Sequence, residues 1–170
     1  FAVMGQFDFE APGARQQLRR WRDTPGMLGI RPVFFSEKEK RLLDDSNDWF
    51  WAICEEEQMP LMCLVYNVFP QFEKILVRHP RLNAVIDHAG RITVKSELLQ
   101  DEAAWANLDE MLALARFPNV TIKVSSLPCF TTQDYPFPNL HKPMRRMYDA
   151  FGPRRLIWGS DVTRLRGTYM

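Results

Sequence analysis

Short apolar runs recur along this chain at nearly even intervals, beginning near positions 1, 27, 60, 83, 120 and 154. The first, Phe1-Ala-Val-Met-Gly-Gln-Phe7, predicts a strand closed by Asp8. A helix is expected over 11–23, opened by Ala11-Pro-Gly-Ala14 and stopped by Thr24-Pro25-Gly26. Met27-Leu-Gly-Ile-Arg-Pro-Val-Phe34 predicts the second strand. Ser46 or Asn47 offers a cap for a helix over 48–58 with Trp49 and Ile53 on its apolar stripe. Strands over 60–66, 84–87, 120–125 and 155–158 follow, with helices over 69–79, 102–116 and 140–151 between them. The helix over 102–116 carries Trp105, Leu108, Met111, Leu112 and Ala115 at helical spacing, and 120–125 is rich in β-branched residues. Phe117-Pro118-Asn119 and Phe151-Gly152-Pro153 read as helix stops.

Strands alternating with helices in units of roughly 30 residues predict a largely parallel sheet. Two architectures compete, an open doubly wound sheet and an eightfold barrel. No GxGxxG follows any strand, which weakens the dinucleotide-binding form of the open sheet. A full barrel takes about 250 residues, so this chain would lack about two units. Phe1 falls directly in an apolar run and Tyr169-Met170 closes the chain soon after the last strand, so both ends read as cut, with the deficit at the start.

Two of the strands stop abruptly on titratable groups. Asn83-Ala-Val-Ile-Asp-His-Ala-Gly90 ends in Asp87-His88, and Arg154-Arg-Leu-Ile-Trp-Gly-Ser-Asp161 ends in Asp161. In a parallel α/β protein the carboxyl ends of the strands form the active-site face, so His88 and Asp161 are the candidate catalytic pair. Arg31 ends its apolar run and suits either bidentate capture of a substrate carboxylate or a surface salt bridge. Period-two alternation puts Lys123 on the face of Thr121 and Ser125, toward a barrel centre, as a site residue or a structural ion pair. Tyr66 and Asn67 close their strand and either orient substrate or simply begin a loop. His79 and His141 sit at helix ends and read as caps or surface residues. The Trp and Met residues fall at helical spacing and read as core.

Composition narrows the classes. With 22 Lys and Arg against 21 Asp and Glu, the net charge of +1 leaves no footprint for nucleic acid or an anionic membrane. The basic stretch Arg15-Gln-Gln-Leu-Arg-Arg-Trp-Arg22 reads as the solvated face of a helix with Leu18 and Trp21 turned inward. Cys54, Cys63 and Cys129 form no CxxC pair and read as buried free thiols of a reducing compartment. Without a run of 18 apolar residues or a signal pattern, a soluble cytoplasmic protein is expected.

Val85-Ile-Asp-His-Ala-Gly90, Asn119-Val-Thr-Ile-Lys-Val-Ser125 and Leu156-Ile-Trp-Gly-Ser-Asp161, with Met27-Leu-Gly-Ile-Arg31 and Asp149-Ala-Phe-Gly-Pro153, resemble the amidohydrolase-related family of TIM-barrel hydrolases and decarboxylases. That group includes 2-pyrone-4,6-dicarboxylate lactonases and aminocarboxymuconate-semialdehyde decarboxylases. The resemblance spans essentially the whole chain. It implies a single domain over 1–170, an incomplete (β/α)8 TIM barrel of about six βα units corresponding to strands three to eight. It also implies that Asp161 is a general base or metal ligand and that His88 binds or polarises substrate. The family's His-x-His pair would lie upstream of Phe1, and Cys63-Leu-Val-Tyr-Asn67 stands where metal-dependent members place a histidine.

The expected activity is water-mediated cleavage of a lactone, ester or amide in a small carboxylate-bearing substrate, with Asp161 as base, His88 and Lys123 as donors and Arg31 and Tyr66 binding substrate. A metal-dependent decarboxylase of the same fold, or a fragment active only in an assembly, are the alternatives. His88, Asp161 and Cys63 are too few for a firm divalent site, so no tightly held metal is expected in these residues; zinc or manganese becomes available in a longer protein carrying the upstream histidines. The exposed edge strands predict either further upstream strands or a homo-oligomer.

Overall fold

The computed structural model describes residues 2–164, so Phe1 and the segment holding Tyr169 and Met170 lie outside the described residues. The elements run β1 (Val3–Gly5), α1 (Ala14–Arg19), β2 (Met27–Ile30), α2 (Glu37–Lys40), α3 (Asp48–Glu56), β3 (Leu61–Cys63), α4 (Phe69–Arg78), β4 (Ala84–Ile86), α5 (Asp101–Ala104), α6 (Leu108–Ala113), β5 (Val120–Ser125), α7 (Pro138–Phe151) and β6 (Leu156–Gly159). All six strands are parallel, and their order across the sheet is their order in the chain. A doubly wound sheet reverses direction at a switch point. This sheet has no reversal, so it is an incomplete (β/α)8 barrel, with β1 and β6 at its two edges.

Register sorts the strand side chains into two faces. Ile30, Leu61, Ala84 and Val120 are partners in adjacent strands and form one buried row, and Cys63, Ile86 and Ile122 form the next. These rows share one core with Phe72, Ile75 and Leu76 of α4 and Met147 and Phe151 of α7. Trp51 of α3 anchors the other end of that core, its ring edge-on to Phe50 at 5.0 Å and its indole donating to the Leu42 carbonyl at 2.8 Å. The opposite, inner face carries Met62, Val85 and Thr121, then Lys123 and Ser125 toward the strand ends. Leu28 and Ile157, on the strands near the edges, are about half exposed.

Several expected elements are shorter or differently used. α1 ends at Arg19, because the Trp21 indole donates to the Gly29 carbonyl at 2.9 Å and draws the chain into a 3₁₀ turn. Asn47 takes the N-cap position of α3 but makes no side-chain cap bond; its amide donates instead to the Arg41 carbonyl at 2.8 Å. The single helix expected over 102–116 is broken into α5 and α6 around residues 105–107. There Trp105 packs on Phe130 and beneath Arg91, and Asn107 bonds both Arg91 and Asn67, demands that an unbroken helix would not satisfy. His79 takes the C-cap position of α4 but is buried rather than on the surface, its ring 3.0 Å from Asp48 and 3.5 Å from Glu55. Trp158, expected in the core, is 80% exposed on edge strand β6. Among the described residues no helix is long and apolar enough to cross a membrane.

Candidate active site

Four strand ends deliver the polar groups. Arg31 follows β2, Asp87 and His88 follow β4, Lys123 and Ser125 come from the last half of β5 with Ser126 just beyond, and Asp161 comes two residues after β6. Lys123 and Ser125 share the inner face through the two-residue period of the strand, so both reach the groups after β4. Gly159, opposite Ser125, makes room: a Cβ there would stand 2.8 Å from Lys123 Cε and 3.1 Å from Ser125 Cβ.

Asp87 is the anchor. Its side chain is 1% exposed. Arg31 donates to Oδ2 from Nε at 2.9 Å and Nη2 at 2.6 Å, and Lys123 Nζ donates to Oδ1 at 3.1 Å. Burial alone would raise the pKa of this carboxyl, but His88, Arg31 and Lys123 together outweigh it and hold the pKa below the usual carboxylate value. Asp87 is therefore an ionised, saturated counter-ion. Its own sequence signal, a polar stop after an apolar run, is the one shared by Asp161, yet its role depends on two cations from other strands.

His88 is buried, with Nδ1 2.8 Å from Ser125 Oγ and 3.1 Å from Ser126 Oγ. Its Nε2 lies 3.3 Å from Asp87 Oδ2 and 3.7 Å from Asp161 Oδ2. Burial lowers the imidazole pKa; Asp87 and Asp161 oppose that, Lys123 and Arg31 reinforce it, and the net shift is downward. The ring is thus neutral near pH 7. The network is satisfied when the Ser125 hydroxyl donates to Nδ1 and the Nε2 proton points toward the carboxylates.

Asp161 accepts from Ser126 Oγ at 2.6 Å, and its side chain is 20% exposed. Among the two carboxylates it alone meets solvent appreciably. His88 (φ 50°), Ala89 (φ 52°), Ser126 (φ 60°) and Asp161 (φ 51°) all occupy the left-handed backbone region, directly after three strand ends. Such residues cost about 1–3 kcal/mol each and persist only where the surroundings over-determine them. Gly90 completes the turn at φ 69°, where a Cβ would also meet Phe69 Cζ at 2.5 Å.

Residues 2–168 match the model of the amidohydrolase family. The chain belongs to that family. It is 34% identical over 182 residues to an L-fucono-1,5-lactonase of Burkholderia ambifaria, covering 99% of this chain and 58% of the relative. It superposes with a TM-score of 0.73 on a Burkholderia multivorans amidohydrolase crystallised with bound zinc, 26% identical, covering 94% of this chain and 57% of that one. The fold is also that of 2,6-dihydroxybenzoate decarboxylase from Rhizobium, at a TM-score of 0.60 and 15% identity over 95% of this chain and 60% of that one. This amidohydrolase chain thus spans somewhat under two thirds of the length of the proteins it matches.

Of the residues singled out by sequence, His88, Asp161, Lys123 and Arg31 converge around Asp87, while Tyr66 stands on the wall of a neighbouring cavity with Asn67 and Arg91. Both Arg31 nitrogens that form its fork are occupied by Asp87, half-buried rather than on the surface. Cys63 is fully buried, and burial, with Asp87 adding to it and Arg31 opposing, pushes its thiol far above the ordinary range, so it is core. A zinc ion usually takes three or more protein ligands. Asp87 turns its oxygens to Arg31 and Lys123, and among the described residues no group of three His, Cys, Asp or Glu side chains is placed to hold a metal ion. His88 and Asp161 are two donors, short of the three a zinc ion usually takes from protein. Ser125 and Ser126, which contact His88 and Asp161, have no distinguishing sequence signal.

Proposed function

We propose that this chain carries the general base of a hydrolase that opens a lactone ring in a small hydroxylated or carboxylate-bearing substrate, with Asp161 as that base. One observation carries the reading. Two carboxylates flank the neutral His88, and among the described residues only Asp161 is free of pairing with Arg or Lys and open to water. The likeness to an L-fucono-1,5-lactonase supports a lactone over other acyl substrates.

Asp161 would take a proton from water as the oxygen adds to the carbonyl carbon. Lys123 spends one of its three N–H donors on Asp87 and has two left for the developing oxyanion. The Ser126 hydroxyl holds the base by donating to it at 2.6 Å, and His88 packs beside both. Collapse of the tetrahedral intermediate breaks the ring C–O bond, and the leaving alkoxide takes the proton back from Asp161, so that water plus lactone gives one hydroxy acid. General base catalysis of this kind contributes about 10²–10⁴-fold. The test is L-fucono-1,5-lactone hydrolysis by the full-length protein, followed by proton release. Asp161→Asn should lower kcat by at least about a hundredfold with the fold intact. Turnover within twofold of wild type would rule Asp161 out as the base.

A further inference from the structure

Ser126 is the side chain that grips Asp161, and its own place is set by the turn that follows β5. Its hydroxyl donates to Asp161 Oδ2 at 2.6 Å, while its carbonyl accepts from the Cys129 N–H at 2.8 Å. Cys129 and Phe130 are buried, and they pack against Ala104 of α5 with Leu98, Trp105 and Leu127 around them. Ser126 has φ 60°, a backbone state that persists only where the surroundings over-determine it.

Two neighbouring residues at the start of α5 supply that determination. Gln100 Nε2 donates to the Cys129 carbonyl at 3.0 Å and to the Thr131 carbonyl at 3.2 Å. Asp101 takes up the next stretch. Its Oδ1 accepts from the Thr132 N–H at 3.0 Å and from Asn139 Nδ2 at 2.6 Å, and its Oδ2 accepts from the Thr132 hydroxyl at 2.7 Å. The Thr132 N–H, ahead of the Thr132 hydroxyl and Asn139, holds the Asp101 carboxyl below its ordinary pKa. These bonds go to residues 129–139 and not to the reacting groups. They bind the loop after β4 to the loop after β5, the two loops that flank His88 and Ser126.

A base that must meet both a water molecule and a carbonyl carbon tolerates little displacement, and an error of 1 Å can cost about 10² in rate. The geometry points to Gln100 and Asp101 as positioning residues that fix Ser126, and through it the carboxylate of Asp161. The inference rests on Asp161 being the base.

The test is a double-mutant cycle with Ser126→Ala, read as kcat and KM for L-fucono-1,5-lactone hydrolysis by the full-length protein. Asp101→Ala should lower kcat several-fold, within the fall of about tenfold expected for Ser126→Ala, and leave KM unchanged. In the Ser126→Ala background the same change should cost less than about twofold, because the group it acts through is gone. Asp101→Asn can still accept from the Thr132 N–H and can donate to the Thr132 hydroxyl, so it should return kcat to within about twofold of wild type. Losses that multiply across the cycle, a rise in KM alone, wild-type turnover in Asp101→Ala or no rescue by Asp101→Asn would overturn the proposal. If Asp101→Ala does not fold, Gln100→Glu, which keeps the shape and loses both donors, runs the same cycle with the same outcomes. Asp161→Asn, assayed alongside, separates the two readings. Wild-type turnover there fells the base and its positioning residues together, whereas a loss there with none in Asp101→Ala or Gln100→Glu fells the positioning role alone.

Discussion

The carboxylates that end β4 and β6 are the same chemical group at the same level of one sheet, and their surroundings give them opposite properties. Asp87 is 1% exposed and bonded by Arg31 and Lys123, whereas Asp161 is 20% exposed and, among the described residues, bonded only by the Ser126 hydroxyl. His88, Arg31 and Lys123 together outweigh the burial of the first and hold it in the ionised form, which makes it a poor proton acceptor. The second keeps solvent access. Position at a strand end marks a residue as available for a site; the number of cations within reach decides whether it anchors or reacts.

The comparison is broken most severely by exchanging each carboxylate for its amide. Asp87→Asn leaves Arg31 and Lys123 facing a neutral group in a buried setting, and removal of one partner from such a cluster costs about 3–5 kcal/mol. Asp161→Asn leaves no buried cation behind and should change stability by no more than about 1 kcal/mol. Urea unfolding of the full-length protein measures both. Equal losses would show that the two carboxylates are not divided in the way their environments imply.

Acid titration sharpens the same contrast. The folded-state pKa of Asp87 is depressed, so its contribution is fully present above the unfolded value of about 3.9 and is lost as pH falls through the folded pKa. The folded pKa of His88 is also depressed, so the unfolded chain binds its proton first and stability falls as pH drops below about 6.5. Both slopes have the same sign, with stability rising as pH rises. Asp87 raises the His88 pKa, so Asp87→Asn should remove the limb below pH 4 and steepen the one between about 4 and 6.5. Parallel curves for wild type and variant would mean that neither group is coupled as described.

Much of the fold was legible in sequence because the strands are buried on their helix side and end on turn residues. Apolar runs such as Ala84-Val-Ile86 could belong to little else, and the strand order excludes the doubly wound sheet that periodicity alone left open. The period of two also put Lys123 on the inner face, where it meets Asp87. The remainder depends on contacts across long sequence separations. Helical spacing over 102–116 is genuine, yet the needs of Trp105 and Asn107 break the helix there. Arg91 looks like any loop arginine until Trp105 and Phe69 close over it. Ser126 follows β5 as His88 follows β4, but a serine after a strand is too common to distinguish, and its left-handed backbone cannot be read from residue type.

A smaller effect is expected where the support of Asp161 is removed and the carboxylate kept. Ser126→Ala deletes the 2.6 Å bond to Asp161 and the contact with His88 Nδ1, while Ser125 still bonds the ring. One lost hydrogen bond to a charged group corresponds to about a tenfold fall in kcat, with KM little changed because substrate contacts remain. A fall as large as that of Asp161→Asn would make Ser126 a participant and not a support. A rise in KM alone would move it to substrate binding.

The smallest effect expected is at Gly159, whose missing side chain gives Lys123 its path to Asp87. Alanine in a strand interior gains about 0.5–1 kcal/mol over glycine. Against that, its Cβ would stand 2.8 Å from Lys123 Cε and 3.1 Å from Ser125 Cβ. Overpacking of this kind costs about 1–3 kcal/mol, so the balance is a net loss of about 1 kcal/mol. The lysine can swing where a backbone atom could not, so the stem moves and the ammonium leaves Asp87 Oδ1. Because Lys123 also lowers the His88 pKa, Gly159→Ala should raise the imidazole pKa as the ammonium withdraws. An NMR titration of the His88 ring in the full-length variant reads that shift directly. An unchanged or lowered value would mean that Lys123 holds its place without the gap, and that Asp87 keeps its second cation by other means.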